Sequence, residues 1–359
     1  IIYENRLKKD KWLNQKFHTS ISKNMLQNTN WHFMSMYKKS FTAWGIAIVI
    51  CIVSFAVRGL SQSIDFTGGR NYVVTLNKSV HVEEVRKVLE NAFVNTNGEN
   101  AGKLATTNVI ALGTEGNTIR VSTNYNIDSN DPAEDDHAEN LLYTALKKGN
   151  FVSQKDVESF KNPDIREGGS IISSAKVGPS VAKDITHGAI ISVALAIVFI
   201  FLYILLRFRN IGFSVGSIVG LILDTTIVVG IFSLCYGWIG FSLEIDQTFI
   251  GAILTVIGYD INDTVVVYDR IRENLRNNKH RLNKTDMQAL FNDSINQTIA
   301  RTVNTSVSTL IVLVSIFVLG GDSIRSFSFA MIIGVIIGTL SSIFIASPVA
   351  YLVLGKKIE

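Results

Sequence analysis

Cysteine is almost missing from this chain. Two occur among 359 residues, Cys51 and Cys235, each in or beside an apolar run. No CxxC spacing and no neighbouring histidine ligands accompany them, which excludes a disulfide framework or a zinc-type site as the organising device. They read as buried thiols behaving like small hydrophobes. A GxxxxGK[ST] loop is also missing, so nothing points to nucleotide chemistry. No strong charge bias exists either: the formal balance of +4 gives no reason to expect a nucleic-acid partner. The chain opens on Ile1 with no basic–apolar–small-residue leader pattern, so a piece of a longer protein is expected. What is abundant is apolar sequence, 47% of residues, alongside 18% charged ones. That mixture predicts several membrane spans plus a sizeable soluble part.

Residues 1–40 are polar and basic, with Lys8, Lys9, Lys11, Lys16, Lys23, Lys38 and Lys39 against Glu4 and Asp10. They are expected on the cytoplasmic side, with Trp31, Phe33, Met34 and Tyr37 placed at the membrane interface. The first span is read over 41–58. Residues 59–184 carry 13 Lys/Arg and 17 Asp/Glu, lack a cytoplasmic positive excess and are expected outside the cytoplasm. Five further spans fall within 185–355, at about 185–206, 213–235, 247–268, 299–319 and 327–354. A charged cytoplasmic loop is expected at 269–298 and a short cytoplasmic tail at 356–359. Six spans with both termini cytoplasmic follow from the clustered Lys/Arg.

Within the soluble region the apolar period switches in order. RNYVVTL (70–76) reads as a strand, HVEEVRKVLENAF (81–93) as a helix, LATTNVIAL (104–112) and NTIRVST (117–123) as a hairpin. AENLLYTALKKG (138–149) reads as a helix and SIISSAKV (170–177) as a last strand. Strand–helix–strand–strand–helix–strand is a ferredoxin-like α+β pattern.

The stretch GYDINDTVVVYDRIRE, in the fourth span, carries the chemistry. Asp260 and Asp263 stand three residues apart, on one helical face. A charge at the bilayer centre costs roughly 2.5–3.5 kcal/mol, so such residues are expected to work on ions. If adjacent, the two would titrate as a coupled pair. Asn262 and Thr264 flank Asp263 as supporting polar groups. Stripes of small residues at every fourth position, Gly188-Ser192-Ala196, Gly216-Gly220 and Gly334-Gly338-Ser342-Ala346, predict close helix packing. Asp224 continues the second stripe and is expected to face protein, either as a packing hydrogen bond or as part of a proton path. The fifth span places Arg301, Asn304, Thr305 and Ser308 on a continuous polar face. Arg301 either snorkels to the headgroups or pairs with Asp263 across the bundle.

These residues fall in ordered motifs. DFTGG follows the first span at Asp65–Gly69, VGPSV precedes the second at Val177–Val181, and IGYxxNDTVVVxDRIREN runs from Ile257 to Asn274. SINQTxxRTxNTS occupies Ser294–Ser306, and a Gly320–Gly321 pair precedes GTxSSIFxASP at Gly338–Pro348. The chain thereby resembles the SecF family of the Sec translocation machinery, whether alone or as the second half of a SecD–SecF fusion, within the resistance–nodulation–division (RND) superfamily. The resemblance implies a six-helix RND-type bundle with a small extracytoplasmic domain, in the cytoplasmic (inner) membrane. It implies a non-enzymatic role, in which the proton-motive force drives late preprotein translocation. Implied partners are SecD, the SecYEG channel, the preprotein, and YajC and YidC. Asp263 and Arg301 match the family's proton-path residues, and Gly68 and Gly69 its glycine pair after the first helix. No cofactor is implied beyond the proton gradient, with sodium an alternative driving ion. Asp260 departs from the small polar residue usual in the family. Two other readings compete: half of an RND exporter of small molecules or lipids, and an intramembrane aspartyl protease built on Asp224 and Asp260. The latter lacks a GxGD context at Asp224, which reads LILD.

Overall fold

The structure, a computed structural model, describes residues 29–97, 101–112, 116–127, 129, 131, 133–236, 238–239, 241, 243–278 and 284–355. Most of the basic start expected at 1–40 and the tail at 356–359 lie outside the described residues. Helix α1 (Tyr37–Arg58) has 22 residues. At 1.5 Å per residue it spans about 33 Å, enough for a hydrocarbon core of ~30 Å. It starts ahead of the expected Phe41, because Tyr37 and the two lysines continue the helix. The preceding residues depart from expectation more sharply. Phe33 and Met34 are buried in protein and not laid at an interface.

The soluble region folds as expected, with two short helices added. In order come α2 (Ile64–Thr67), β1 (Gly69–Thr75), α3 (Val82–Leu89), β2 (Thr107–Leu112) and β3 (Thr118–Thr123). Then come α4 (Ala133–Lys148), α5 (Val157–Lys161) and β4 (Ile171–Val177). The strands form one antiparallel sheet in the order β2-β3-β1-β4. Alternation decides the two faces. Tyr72, Val74, Val109, Ile119 and Val121 pack with Val85 and Leu89 of α3 and Leu142 and Leu146 of α4 into one core. The intervening Asn71, Val73, Arg120 and Ser122 line a cavity of about 360 Å³ on the other face.

The remaining helices are α6 (Pro179–Phe208), α7 (Ile211–Cys235), α8 (Gln247–Asn277), α9 (Lys284–Leu319), α10 (Asp322–Ser341) and α11 (Ser347–Gly355). A single π turn, Ser342–Ala346, joins the last two. Among the described residues six helical segments are long and apolar enough to cross a membrane. Their starts are fixed locally. Pro179 opens α6 where a missing N–H costs nothing. The Asn210 side chain caps α7 through the Gly212 N–H, and Asp246 caps α8 through the Phe249 N–H at 2.8 Å. The π turn lies just before Pro348, which has no N–H to give to the carbonyl four residues back.

The segment expected as a loop at 269–298 is mostly helix, since α8 runs on to Asn277 and α9 starts at Lys284. Apolar residues set among its charges explain this. Ile271, Met287, Leu290, Phe291 and Ile295 form one buried cluster with Phe33 and Met34. Asn296 and Asn292 side chains accept from the backbone N–H groups of Trp31 and Met34, and Gln288 donates to the Met34 carbonyl. Helix α8 sits centrally, packed against α6, α7, α9 and α10. Of the predicted small-residue stripes, those on α7 and α10 are packed. The one on α6 is not: Gly188 and Ser192 are exposed.

Candidate functional site

Asp263 is 2% exposed, and three hydroxyls from two other helices surround it. Thr305 donates to Oδ1 at 3.4 Å, while Ser306 and Thr339 donate to Oδ2 at 3.3 and 3.4 Å. The Ser306 and Thr339 hydroxyls lie 2.6 Å apart, so either can turn its one proton to the other and away from the carboxylate, and Tyr259 donates to Ser306. The carboxyl therefore sits at the seam of α8, α9 and α10. Of the two readings of Arg301, the pair with Asp263 is not formed among the described residues, where its side chain is exposed and within 4.0 Å of no carboxylate. Of the predicted polar face only Thr305 reaches the carboxyl. Asn304 and Ser308 are exposed, with Ser308 donating to the Thr305 carbonyl. Asn262 is also exposed, and Thr264 is buried. Ser306 and Thr339 were the missed participants, although both stand in the SINQTxxRTxNTS and GTxSSIFxASP motifs.

Asp260 does not join Asp263. Three residues on a helix leave an angular offset of about 60°, enough here to turn one side chain to each of two seams. Asp260 faces α7, where its carboxyl lies within hydrogen-bonding distance of that of Asp224. These two are 2% and 1% exposed. Ser341 of α10 donates to Asp224 Oδ2. Gly338 provides the room: a Cβ there would stand 3.0 Å from Asp260 Oδ1. Likewise a Cβ at Gly216 would collide with the Ala346 carbonyl and the Tyr268 hydroxyl, which bond each other at 2.9 Å.

Gly68 and Gly69 lie far from these carboxyls, where α2 ends and β1 begins. Gly68 has φ 75°, and a Cβ on Gly69 would come within 2.6 Å of both Ile64 and the Thr123 carbonyl. That turn is tied to the start of α8. The chain at Gln62 forms a parallel bridge with Ile245, and Asp65 accepts from the Gln247 N–H at 3.3 Å. Alongside, Glu244 packs under the open sheet face. Burial pushes its carboxyl up to about 7; a hydrogen bond from Asn108 works against this, Asp246 adds to it, and Arg120 and Arg86 oppose it.

Residues 159–356 match the family described as "Protein export membrane protein SecD/SecF, C-terminal", and residues 53–80 match the SecD/SecF GG motif. The chain is 38% identical over 327 residues to the protein translocase subunit SecF of Rhodothermus marinus, covering 90% of this chain and 94% of that protein. It is 32% identical to the Haemophilus influenzae SecF over 320 residues, covering 89% and 85%. Among solved structures it resembles SecDF of Thermus thermophilus, described as a translocon-associated membrane protein, with a TM-score of 0.71 and 28% identity. That likeness covers 99% of this chain but 41% of the SecDF chain, so the chain spans about two fifths of that protein.

Proposed function

The chain belongs to the SecD/SecF family of protein-export membrane proteins, and on that premise we propose that it serves the Sec translocon by coupling proton entry at Asp263 to late preprotein translocation. The carrying observation is Asp263 itself. It is a buried carboxyl held by hydroxyls from two neighbouring helices, with no ion-pair partner among the described residues. A hydroxyl both donates and accepts, so Thr305, Ser306 and Thr339 can satisfy either protonation state by rotating. An arginine locked onto the carboxylate would hold one state. One proton moving through 100 mV supplies about 2.3 kcal/mol, and nothing in the chain calls for ATP.

The path from site to soluble domain is short. Helix α8 carries Asp263 in its span, and its first turn is tied to the segment leading into the glycine pair. A shift of α8 at the α9–α10 seam would therefore be delivered to the base of the sheet domain, which would hold and release an unfolded chain. Arg301, Asn304 and Ser308 face outward on α9, which supports a second bundle seated there, contributed by SecD as a subunit or as a fused half. SecYEG and the preprotein complete the working assembly, with YajC and YidC as accessory partners. The clustered Lys/Arg support an inner-membrane topology with 59–184 outside and both ends cytoplasmic. The role is transport, not catalysis. Although Asp224 and Asp260 are adjacent, as an aspartyl protease would need, both are sealed by packing and leave no room for a peptide.

Vesicles containing SecYEG, SecD and this chain provide the test, with preprotein protection and proton flux read under an imposed gradient. Asp263→Asn is expected to abolish both gains. Retention of both would overturn the reading, and stimulation by a sodium gradient alone would change the ion.

A further inference from the structure

Asp224 and Asp260 are separated from the Asp263 site by the body of α8, and the proposed proton route makes no use of them. Each comes from a different helix, and each is almost completely buried. A carboxylate has acceptors and no donor. The Ser341 hydroxyl serves Asp224 Oδ2, but Asp224 Oδ1 and Asp260 Oδ1 are buried with no hydrogen-bond partner. Two acceptor-only groups are thus turned toward each other in a space that Gly338 and Ser341 close from α10. Among the described residues no cation acts on either carboxyl. Asp224 is the only charged residue of α7, and the charged positions of α10, Asp322 and Arg325, lie in its first turn. On α8 the nearby titratable groups are Asp263, turned to the other seam, and Tyr268, whose hydroxyl is given to Ala346. What the pair lacks is one donor between its two facing carboxyls.

We propose that Asp224 and Asp260 form a second ion site of the bundle, in which the two carboxyl groups share a single proton and thereby fasten α7 to α8. The proton makes one charge-assisted O–H···O bond, the strong kind, and removes the repulsion that two anions would exert there. Paired aspartates sharing one proton are the working state of aspartic proteases in water. Here the same arrangement is walled in and serves as a fastener whose release requires deprotonation. The inference goes beyond the Asp263 reading and does not depend on it.

Infrared spectroscopy of the whole chain in lipid nanodiscs tests it, at about pH 8, where exposed carboxyls and most of Glu244 are ionised. The expected result is one protonated-carboxyl band that moves in heavy water. Asp224→Asn and Asp260→Asn should each displace or remove that band, their combination should remove it, and Asp263→Asn should leave it in place. If Asp224→Asn does not fold, Asp260→Ser is read in the same way. A wild-type spectrum without the band, or a band that survives the double substitution even when Asp263→Asn is added to it, would sink the proposal. So would loss of the band on adding sodium chloride at constant pH, which would make the pair a sodium site. Loss of transport in Asp263→Asn with the band intact separates this inference from the Asp263 reading.

Discussion

Arg70 in the sheet domain and Asp263 in the helix bundle are each 2% exposed, yet they are accommodated in opposite ways. Arg70 follows the glycine pair and reaches Asp135 at 2.6 Å, with a further bond to the Tyr125 carbonyl. Lys176 approaches the same carboxylate at 3.1 Å. Burial works to raise the Asp135 carboxyl, but hydrogen bonds and charge from Lys176 and Arg70 outweigh it and hold it below the usual range. Such a group keeps its charge at every ordinary pH and acts as a fixed joint between β1 and α4. Asp263 has hydroxyls where Arg70 has a counter-charge. Opposite charge makes a side chain permanent, whereas neutral donors leave it free to change state. Both devices lie in one chain, and Glu244 stands where their two regions meet.

The largest expected effect comes from removing the group free to change. Asp263→Asn deletes the roughly 2.3 kcal/mol that a proton contributes per 100 mV, a factor of about 50 in bias, and should reduce gradient-stimulated export to background. Its thermal unfolding should barely move, since an amide also satisfies the three hydroxyls. The reverse pattern is expected at the fixed joint. Arg70→Met should cost the domain about 2 kcal/mol, below the roughly 3–5 kcal/mol of a fully buried pair because Asp135 is 43% exposed. Limited proteolysis of 59–184 reads that loss, and a normal proton flux alongside it would sharpen the contrast. Gly338→Ala should cost about 1–3 kcal/mol, by driving a methyl against the Asp260 carboxyl. Denaturation in detergent checks it, and no change would break the claim that this seam is closely packed.

The smallest effect concerns Glu244. Its carboxyl rises from 4.5 to about 7 in the docked state, so the docked state holds the proton more tightly than the undocked one. Docking of the sheet on the α7–α8 connection is thus strongest below pH 4.5 and weakens as pH rises to about 7, where the loss is complete. Hydrogen exchange across β2 and β3 should quicken modestly over that window, and Glu244→Gln should flatten the dependence. An unchanged slope would remove Glu244 from the interface.

The sheet domain was legible because alternation in β1 and β3 and the 3.6-residue period of α3 record which side is buried. The spans were legible from their apolar length. Partnerships between helices were not. Asp260 and Asp263 share a face on a helical wheel, but α8 is wedged between α7 and the α9–α10 pair, and a 60° offset assigns them to different neighbours. The polar face of α9 left Arg301 open to snorkelling or to a pair with Asp263, and only the packing of α9 shows Ser306, five residues on, occupying the inward position. Asn262 failed for the same reason, since its polarity marks no direction. Pro348 was visible, but the close seating of Gly216 and Tyr268 against Ala346 within the π turn was not.

That π turn has a mechanical consequence. One surplus residue in a helix advances everything beyond it by about 100° of rotation. The sixth span therefore consists of two shafts with separate angular settings. One bears Thr339 and Ser341 toward the two aspartate sites; the other bears Ala350 and Tyr351 into the cluster around Phe291. The Tyr268 hydroxyl holds the coupling between them at the Ala346 carbonyl. The angular setting of the end packed on α9 is thereby independent of the setting that presents Thr339 and Ser341 to the aspartates.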